Sequence, residues 1–175
     1  MAWSTLPTYV DGDPLTAAML LAIAANINET AVAKATTAGY HFVANGTNVV
    51  VERAIVSDKI LTQQTTTSTT YVNLATVGAT VTVTTGTHAI ISHGCQMFSS
   101  GTGSCWSSYA LTGATTSAAD DERAITCEAA ASNSFRMGYT ELQTLTAGSN
   151  VVTQKYRVGS LTGTFDDRHV AVMAL

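Results

Sequence analysis

The sequence predicts a mainly β chain: an antiparallel jelly-roll-like β-sandwich preceded by an extended N-terminal arm and one α-helix. Three observations predict it. From Lys59 onward, short strand-forming runs recur at intervals of roughly ten to fifteen residues, the spacing of a sandwich. Thirty of the 175 residues are threonine, which is β-branched, suits the exposed face of a strand and weakens helix. Apolar residues at helical spacing occur once, before residue 35.

Met1 to Val10 is expected to be an extended arm, with Trp3, Leu6, Tyr9 and Val10 as apolar teeth and Pro7 disfavouring helix around it. Asp11-Gly12-Asp13-Pro14 is a turn. Either Asp13 caps the following helix with Pro14 at its first position, or Thr16 caps it one step later. The helix is expected from about residue 15 to about residue 33. Met19 or Leu20, Ile23, Ile27 and Ala31 form its apolar stripe, and Ala22, Asn26 and Glu29 lie opposite. Tyr40–Ala44 and Val49–Arg53, joined through Asn45-Gly46-Thr47-Asn48, have the pattern of a hairpin.

The predicted organisation is therefore an arm and helix over 1–35, a hairpin or linker over 36–58, and a sandwich over 59–175. Its strands are Ile60–Gln64, Thr70–Leu74, Thr80–Thr85, His88–Phe98, Cys105–Leu111, Arg123–Ala130, Phe135–Gln143, Val151–Val158 and His169–Leu175. Alternation is clearest in Ala79–Thr84 and His169–Leu175, each with one apolar face.

Composition excludes several classes of function. Charged residues make up 11% of the chain, against a usual ~25%, so a surface built this way fits a chain covered by copies of itself or by a larger assembly. The net charge is −4, and no Lys/Arg cluster offers the basic stripe that nucleic acid requires. The longest apolar stretch, Ala17–Ala25, falls short of the roughly 20 residues of a membrane span. Cys95, Cys105 and Cys127 are an odd number and do not make a disulfide framework; buried free thiols are expected.

No cofactor or catalytic signature stands out. His41, His88, His93 and His169 lack H-x-x-x-H spacing, and His93-Gly94-Cys95 falls short of the three or four convergent ligands of a zinc site. Asp120-Asp121-Glu122 and Asp166-Asp167 sit in turn-rich sequence and are expected to be solvated loops rather than a paired-carboxylate cleft. Gly101-Thr102-Gly103-Ser104-Cys105 lacks the Lys and the helix of a phosphate loop. Among the aromatics, Trp106 and Tyr109 are the candidates for stacking on a sugar, with packing as the competing role.

Three segments carry a family resemblance. The head, A-W-S-T-L-P-T-Y-V-D-G-D-P-L-T-A-A-M, resembles the start of small virion proteins of tailed bacteriophages. So do Thr144–Val158, T-L-T-A-G-S-N-V-V-T-Q-K-Y-R-V, as a Gly turn before a long strand, and Phe165–Leu175, F-D-D-R-H-V-A-V-M-A-L, as a closing strand with an Arg before an alternating apolar end. The sequence departs from that family at Leu20, Leu21 and Ala22, where a polar helix face is usual. The resemblance implies a non-enzymatic structural protein, often trimeric, made in the bacterial cytoplasm and carried on the virion surface. Its expected role is capsid decoration, with itself and the major capsid protein as partners. Arm residues Trp3, Leu6, Tyr9 and Val10 and helix residues Leu20, Ile23 and Ile27 would then make the contacts. The alternative is a tail-associated protein or short fibre knob that binds a host glycan, with Trp106 and Tyr109 at the receptor loop.

Free thiols give a direct check. All three cysteines should label under denaturing, non-reducing conditions, and labelling of one alone would reveal a disulfide.

Overall fold

The computed structural model describes residues 16–28, 36–46, 49–129 and 133–175. The arm with Trp3, Leu6, Tyr9 and Val10, the turn at 11–14 and the expected helix end at 29–33 lie outside the described residues. The chain divides into two compact units, Met1–Arg53 and Ala54–Leu175.

In the first unit, α1 spans Ala17–Asn28. Thr16 is its cap: its Oγ1 accepts from the Met19 amide at 3.3 Å, satisfying one of the donors that a helix start leaves open. The covered side of α1 is Met19, Ala22 and Ile23, half-buried, with Asn26 buried. Leu20, Leu21 and Ile27 are exposed. This departs from the expected stripe: Ile23 is on it, but Ala22 and Asn26 are covered and Leu20 and Ile27 are not. So many helix positions are apolar that hydrophobicity alone does not single out one face. Strands β1 (His41–Gly46) and β2 (Val49–Arg53) pair as the expected hairpin. Glu52 accepts from the Thr36 amide at 2.7 Å, tying the segment before β1 to β2.

The second unit holds β3 (Ile55–Ile60), β4 (Gln64–Thr66), β5 (Thr80–Thr85), β6 (His88–Ser99), β7 (Gly103–Gly113), β8 (Ile125–Ala129), β9 (Phe135–Thr144), β10 (Gly148–Val158) and β11 (Gly163–Ala174). One sheet has the order β3-β11-β6-β9, with β4 also on β11, and the other β5-β10-β7-β8. All of their pairings are antiparallel. With β4 set aside, the first and last strands pair, the second and the penultimate pair, and the chain alternates between sheets as a jelly roll does. The mainly β, jelly-roll-like class expected from the sequence is the class observed.

Several elements differ from expectation, two of them near the start of the sandwich. Ile55–Asp58 belong to β3 of the sandwich, not to a linker ending before Lys59. Thr70–Leu74 is not a strand; it makes a single bridge, Val72 with Tyr156. The Ser68 hydroxyl donates to the Thr70 carbonyl at 2.7 Å, the kind of local bond by which Ser and Thr compete with a ladder.

The core lies between the sheets in two apolar clusters. One contains Val81, Val83, Ile91, Tyr109, Leu111, Val152, Val170 and Val172. The other contains Met97, Cys95, Cys105, Cys127, Tyr156, Val158 and Phe165. The three cysteines are buried and free. A polar row separates the clusters, because His93, Ser107, Gln154 and Arg168 take the intervening inward positions and all are buried. The Gln154 amide spans the sandwich, donating to Ser107 Oγ at 2.8 Å and to the Gly94 carbonyl at 3.1 Å.

Arg168 enters this row from an irregularity in β11, where the register shifts between Asp166 and His169 and Asp167 has φ 46°. Its guanidinium donates to the carbonyls of Thr62, Thr76 and Gly78 and to Gln64 Oε1, at 3.1 to 3.2 Å. The Tyr156 hydroxyl donates to the same Gly78 carbonyl at 2.8 Å. Buried polar groups left without partners are costly, so Arg168→Met should destabilise the fold by about 3 kcal/mol. That corresponds to a fall of about 10 °C in Tm by thermal circular dichroism, and an unchanged Tm would show that the carbonyls find other donors.

Candidate functional site

The outer face of the β5-β10-β7-β8 sheet carries a network built from three separate segments. Trp106 on β7 and Arg157 on β10 are register partners, so their side chains share a face. The Arg157 guanidinium lies 3.9 Å from the Trp106 ring centroid and 5.4 Å from that of Tyr71, within cation–π range of both. It also grips Asp121 in two-point fashion, Nε to Oδ1 at 3.0 Å and Nη2 to Oδ2 at 2.7 Å. The Tyr71 hydroxyl donates to Asp121 Oδ1 at 2.8 Å. The Arg157 bonds, then the Tyr71 bond, hold the Asp121 carboxyl below its usual range. Burial, then the Asp121 bond, pushes the Tyr71 phenol up.

Beside this network lies a depression of about 760 Å³, with Tyr71, Asp121, Lys155 and Arg157 around small residues such as Ala110 and Ala118. Lys155 donates to Asn73 at 2.6 Å. Two cations and two carboxylates, Asp120 included, offset one another in the lining. The chemistry favours a neutral ligand with hydroxyl groups over a phosphate, which needs uncompensated positive charge.

A second hollow of about 460 Å³ is lined by Ser117, Glu122, Arg123, Tyr139, Glu141 and Gln143 among others. Arg123 organises it, pairing with Asp120 and donating to Ser117 Oγ at 2.9 Å and the Ala118 carbonyl at 2.6 Å. The bond from Arg123 comes first among the causes that hold the Asp120 carboxyl low. Tyr109 lies beneath, fully buried, with the Arg123 guanidinium 4.9 Å from its ring centroid and its hydroxyl donating to Glu141.

These geometries sort the residues that the sequence singled out. Trp106 is half-buried on a strand, under Arg157, rather than on a loop. Tyr109 is corrected from receptor contact to core residue, because its position three residues on from Trp106 turns it to the inner face. The acidic pairs are not simply solvated: Asp120 and Asp121 bind different arginines, and Asp167 binds Lys59 and Arg136. His93 and Cys95 do face the same way, into the core, but among the described residues no group of three His, Cys, Asp or Glu could hold a metal. Burial pushes the Cys95 thiol up to about 12 and the Cys105 thiol to about 11, which keeps both protonated and unreactive.

The joining of Tyr71, Asp121 and Arg157 escaped the sequence reading because 50 and 36 residues separate the bonded partners. The available signal was Lys155 and Arg157 at alternate positions of one strand, on the face opposite Tyr156 and Val158.

No family model matches the sequence, and no curated protein does. Among solved structures, the chain is similar to the Eiger TNF of S. frugiperda, with 9% identity over 69% of this chain and 92% of that one, at a TM-score of 0.47. It is also similar to chains of infectious bursal disease virus, Gt and Gx strains. Identities there are 10% and 11% over 75% of this chain, with TM-scores of 0.42 and 0.40. The chain spans only 35% and 36% of those viral chains. The jelly-roll assignment rests on strand order, not on these likenesses.

His93 supplies a pH test. Its Nε2 lies 2.9 Å from the Arg123 carbonyl and must be the donor, which leaves Nδ1, buried and without a partner among the described residues, as the site of protonation. Burial holds its pKa at about 4, below the ordinary ~6.5. The unfolded chain therefore binds this proton first, so the contribution is fully present above pH ~6.5 and is lost as pH falls toward 4. Urea unfolding at pH 4.5 should show about 2 to 3 kcal/mol less stability than at pH 7, and His93→Gln should flatten that slope. An equal slope in the variant would assign the loss to other groups.

Proposed function

We propose that this chain is a non-enzymatic structural protein of a bacteriophage virion, a trimer that decorates the assembled head. The observation that carries the reading is the outward apolar side of α1: Leu20 is 51%, Leu21 71% and Ile27 61% exposed. Apolar clusters of this kind mark surfaces that a partner covers. The resemblance of both chain ends to phage virion proteins supports the same reading, as does the low charge of the surface. The fold by itself supports no function.

In this reading Trp3, Leu6, Tyr9 and Val10 of the arm, with Leu20, Ile23 and Ile27, anchor the protein to the major capsid protein or to sister copies. Binding only the assembled shell shifts the equilibrium toward it by mass action. The depression lined by Tyr71, Asp121, Lys155 and Arg157 favours one competing reading, a tail knob that takes a host glycan.

Copy number separates the two. Quantitative mass spectrometry of purified particles should find this chain in a ratio of one to one, or one to a few, with the major capsid protein. A handful of copies per particle would move it to the tail, and its absence from particles would refute both readings.

A further inference from the structure

The two sheets of the sandwich present very different outer faces. On β5-β10-β7-β8 the outward rows hold Thr80, Thr82, Thr84, Thr112, Thr126 and Thr153, with Glu128, Lys155 and Arg157, and their apolar members, Val151, Ala110 and Trp106, form no continuous row. On β3-β11-β6-β9 one row across all four strands is Ile55, Met173, Ile90 and Leu142, consecutive register partners that share one face. Ile55 is 56%, Ile90 37% and Leu142 62% exposed. The next row along the strands is Ser57, Ala171, Ser92 and Thr140, all small. Beyond it come Lys59, His169, Gly94 and Gly138. There the His169 ring lies so close over Gly94 that a Cβ would sit 2.6 Å from it. Charge enters only at that end, where Asp167 already binds Lys59 and Arg136.

We propose that this outer face of the β3-β11-β6-β9 sheet is where copies of the chain meet. The proposal rests on the self-association in the reading above and names its surface. A second copy is the occupant that the chemistry favours. The apolar row is a ridge and the small row beside it a groove, so the ridge of one copy enters the groove of the next, and such contacts can close into a ring. Neither row carries a charge, so nothing is repelled when the face meets its own kind, and nothing steers a foreign partner to it. Subunit interfaces of homo-oligomers are the more apolar class.

Area sets the strength. Four strands about 4.8 Å apart and three rows about 6.7 Å deep span roughly 400 Å². A stable interface takes about 800 Å² from each partner. The face therefore supplies about half of what a lasting contact requires, so its loss should weaken the assembly strongly while the remaining area comes from other contacts between the copies.

The test is sedimentation equilibrium of the full chain beside two double variants, with circular dichroism to verify folding. The wild type should be a trimer at micromolar concentration. Ile90→Lys with Leu142→Lys should weaken association at least about 100-fold, because each lysine would carry an unpaired charge from the ridge into a groove of small neutral residues. Thr82→Lys with Thr126→Lys, on the other sheet, should leave it unchanged. If the first variant fails to fold, Ser57→Arg with Thr140→Arg fills the groove from two exposed edge positions and should dissociate the trimer likewise. A monomeric wild type, face variants that assemble normally, or a control variant that dissociates equally would each overturn the proposal. Copy number in particles is a separate measurement, so the functional reading can fail or stand independently.

Discussion

The fold depends on one buried cation. Arg168 lies at the middle of the sandwich with no carboxylate beside it among the described residues, and its charge is met by the carbonyls of Thr62, Thr76 and Gly78 and the side chain of Gln64. The three carbonyls belong to the two irregular stretches that lead from β3 to β4 and from β4 to β5, and Gln64 opens β4 between them. The second stretch bonds to β10 at Ser68, Val72 and Ala79, and at Thr62, Thr76 and Gly78 the guanidinium does for the backbone what a neighbouring strand would do elsewhere. The arrangement also explains the break in the core. A charged donor needs polar company, and Gln154, Ser107 and His93 fill the rest of its row while apolar clusters close above and below.

Much of this architecture was legible in the sequence, for one physical reason: alternation with period two survives wherever a strand has one wet and one dry face. Thr80–Thr85 was located to the residue, and β6 to within one. The same rule separates Trp106 from Tyr109, whose odd spacing places them on opposite faces; the error was to treat both as loop residues. Alternation fails where side chains or loops take over backbone bonds. The expected strand Ile60–Gln64 takes in the end of β3, the start of β4 and the gap of residues 61–63 between them, where the Thr62 carbonyl turns to Arg168. The closing strand begins at Gly163, six residues before its expected start at His169, because Asp166-Asp167 looks like a loop but is a bulge within β11. The surface network of Tyr71, Asp121 and Arg157 was not legible, since it forms only once three distant segments are in place.

The scarcity of charge takes a specific form in the structure. Half of the charged side chains of the sandwich are paired with one another: Asp120 with Arg123, Asp121 with Arg157, Asp167 with Lys59 and Arg136. The remaining outer surface is divided between hydroxyl-bearing and apolar rows. Threonine suits the first, because its methyl group packs on the pleated sheet while its hydroxyl meets water or a neighbour, as Thr80 does with Thr153. The second has no such dual character. The two sheets are thus equipped for different surroundings even though they share one core.

The position of β11 has a consequence for how the protein is made. β11 is bonded to β3 and β4 on one side and β6 on the other, yet it is translated after every other strand of the sandwich. Until it emerges, β3 has no neighbour in its sheet and β6 has only β9. The nascent chain thus carries unpaired edges through most of its synthesis, and the sandwich closes only after translation of its final strand. Long-range closure of this kind is slow, and exposed edges are where chains of the same sequence pair wrongly.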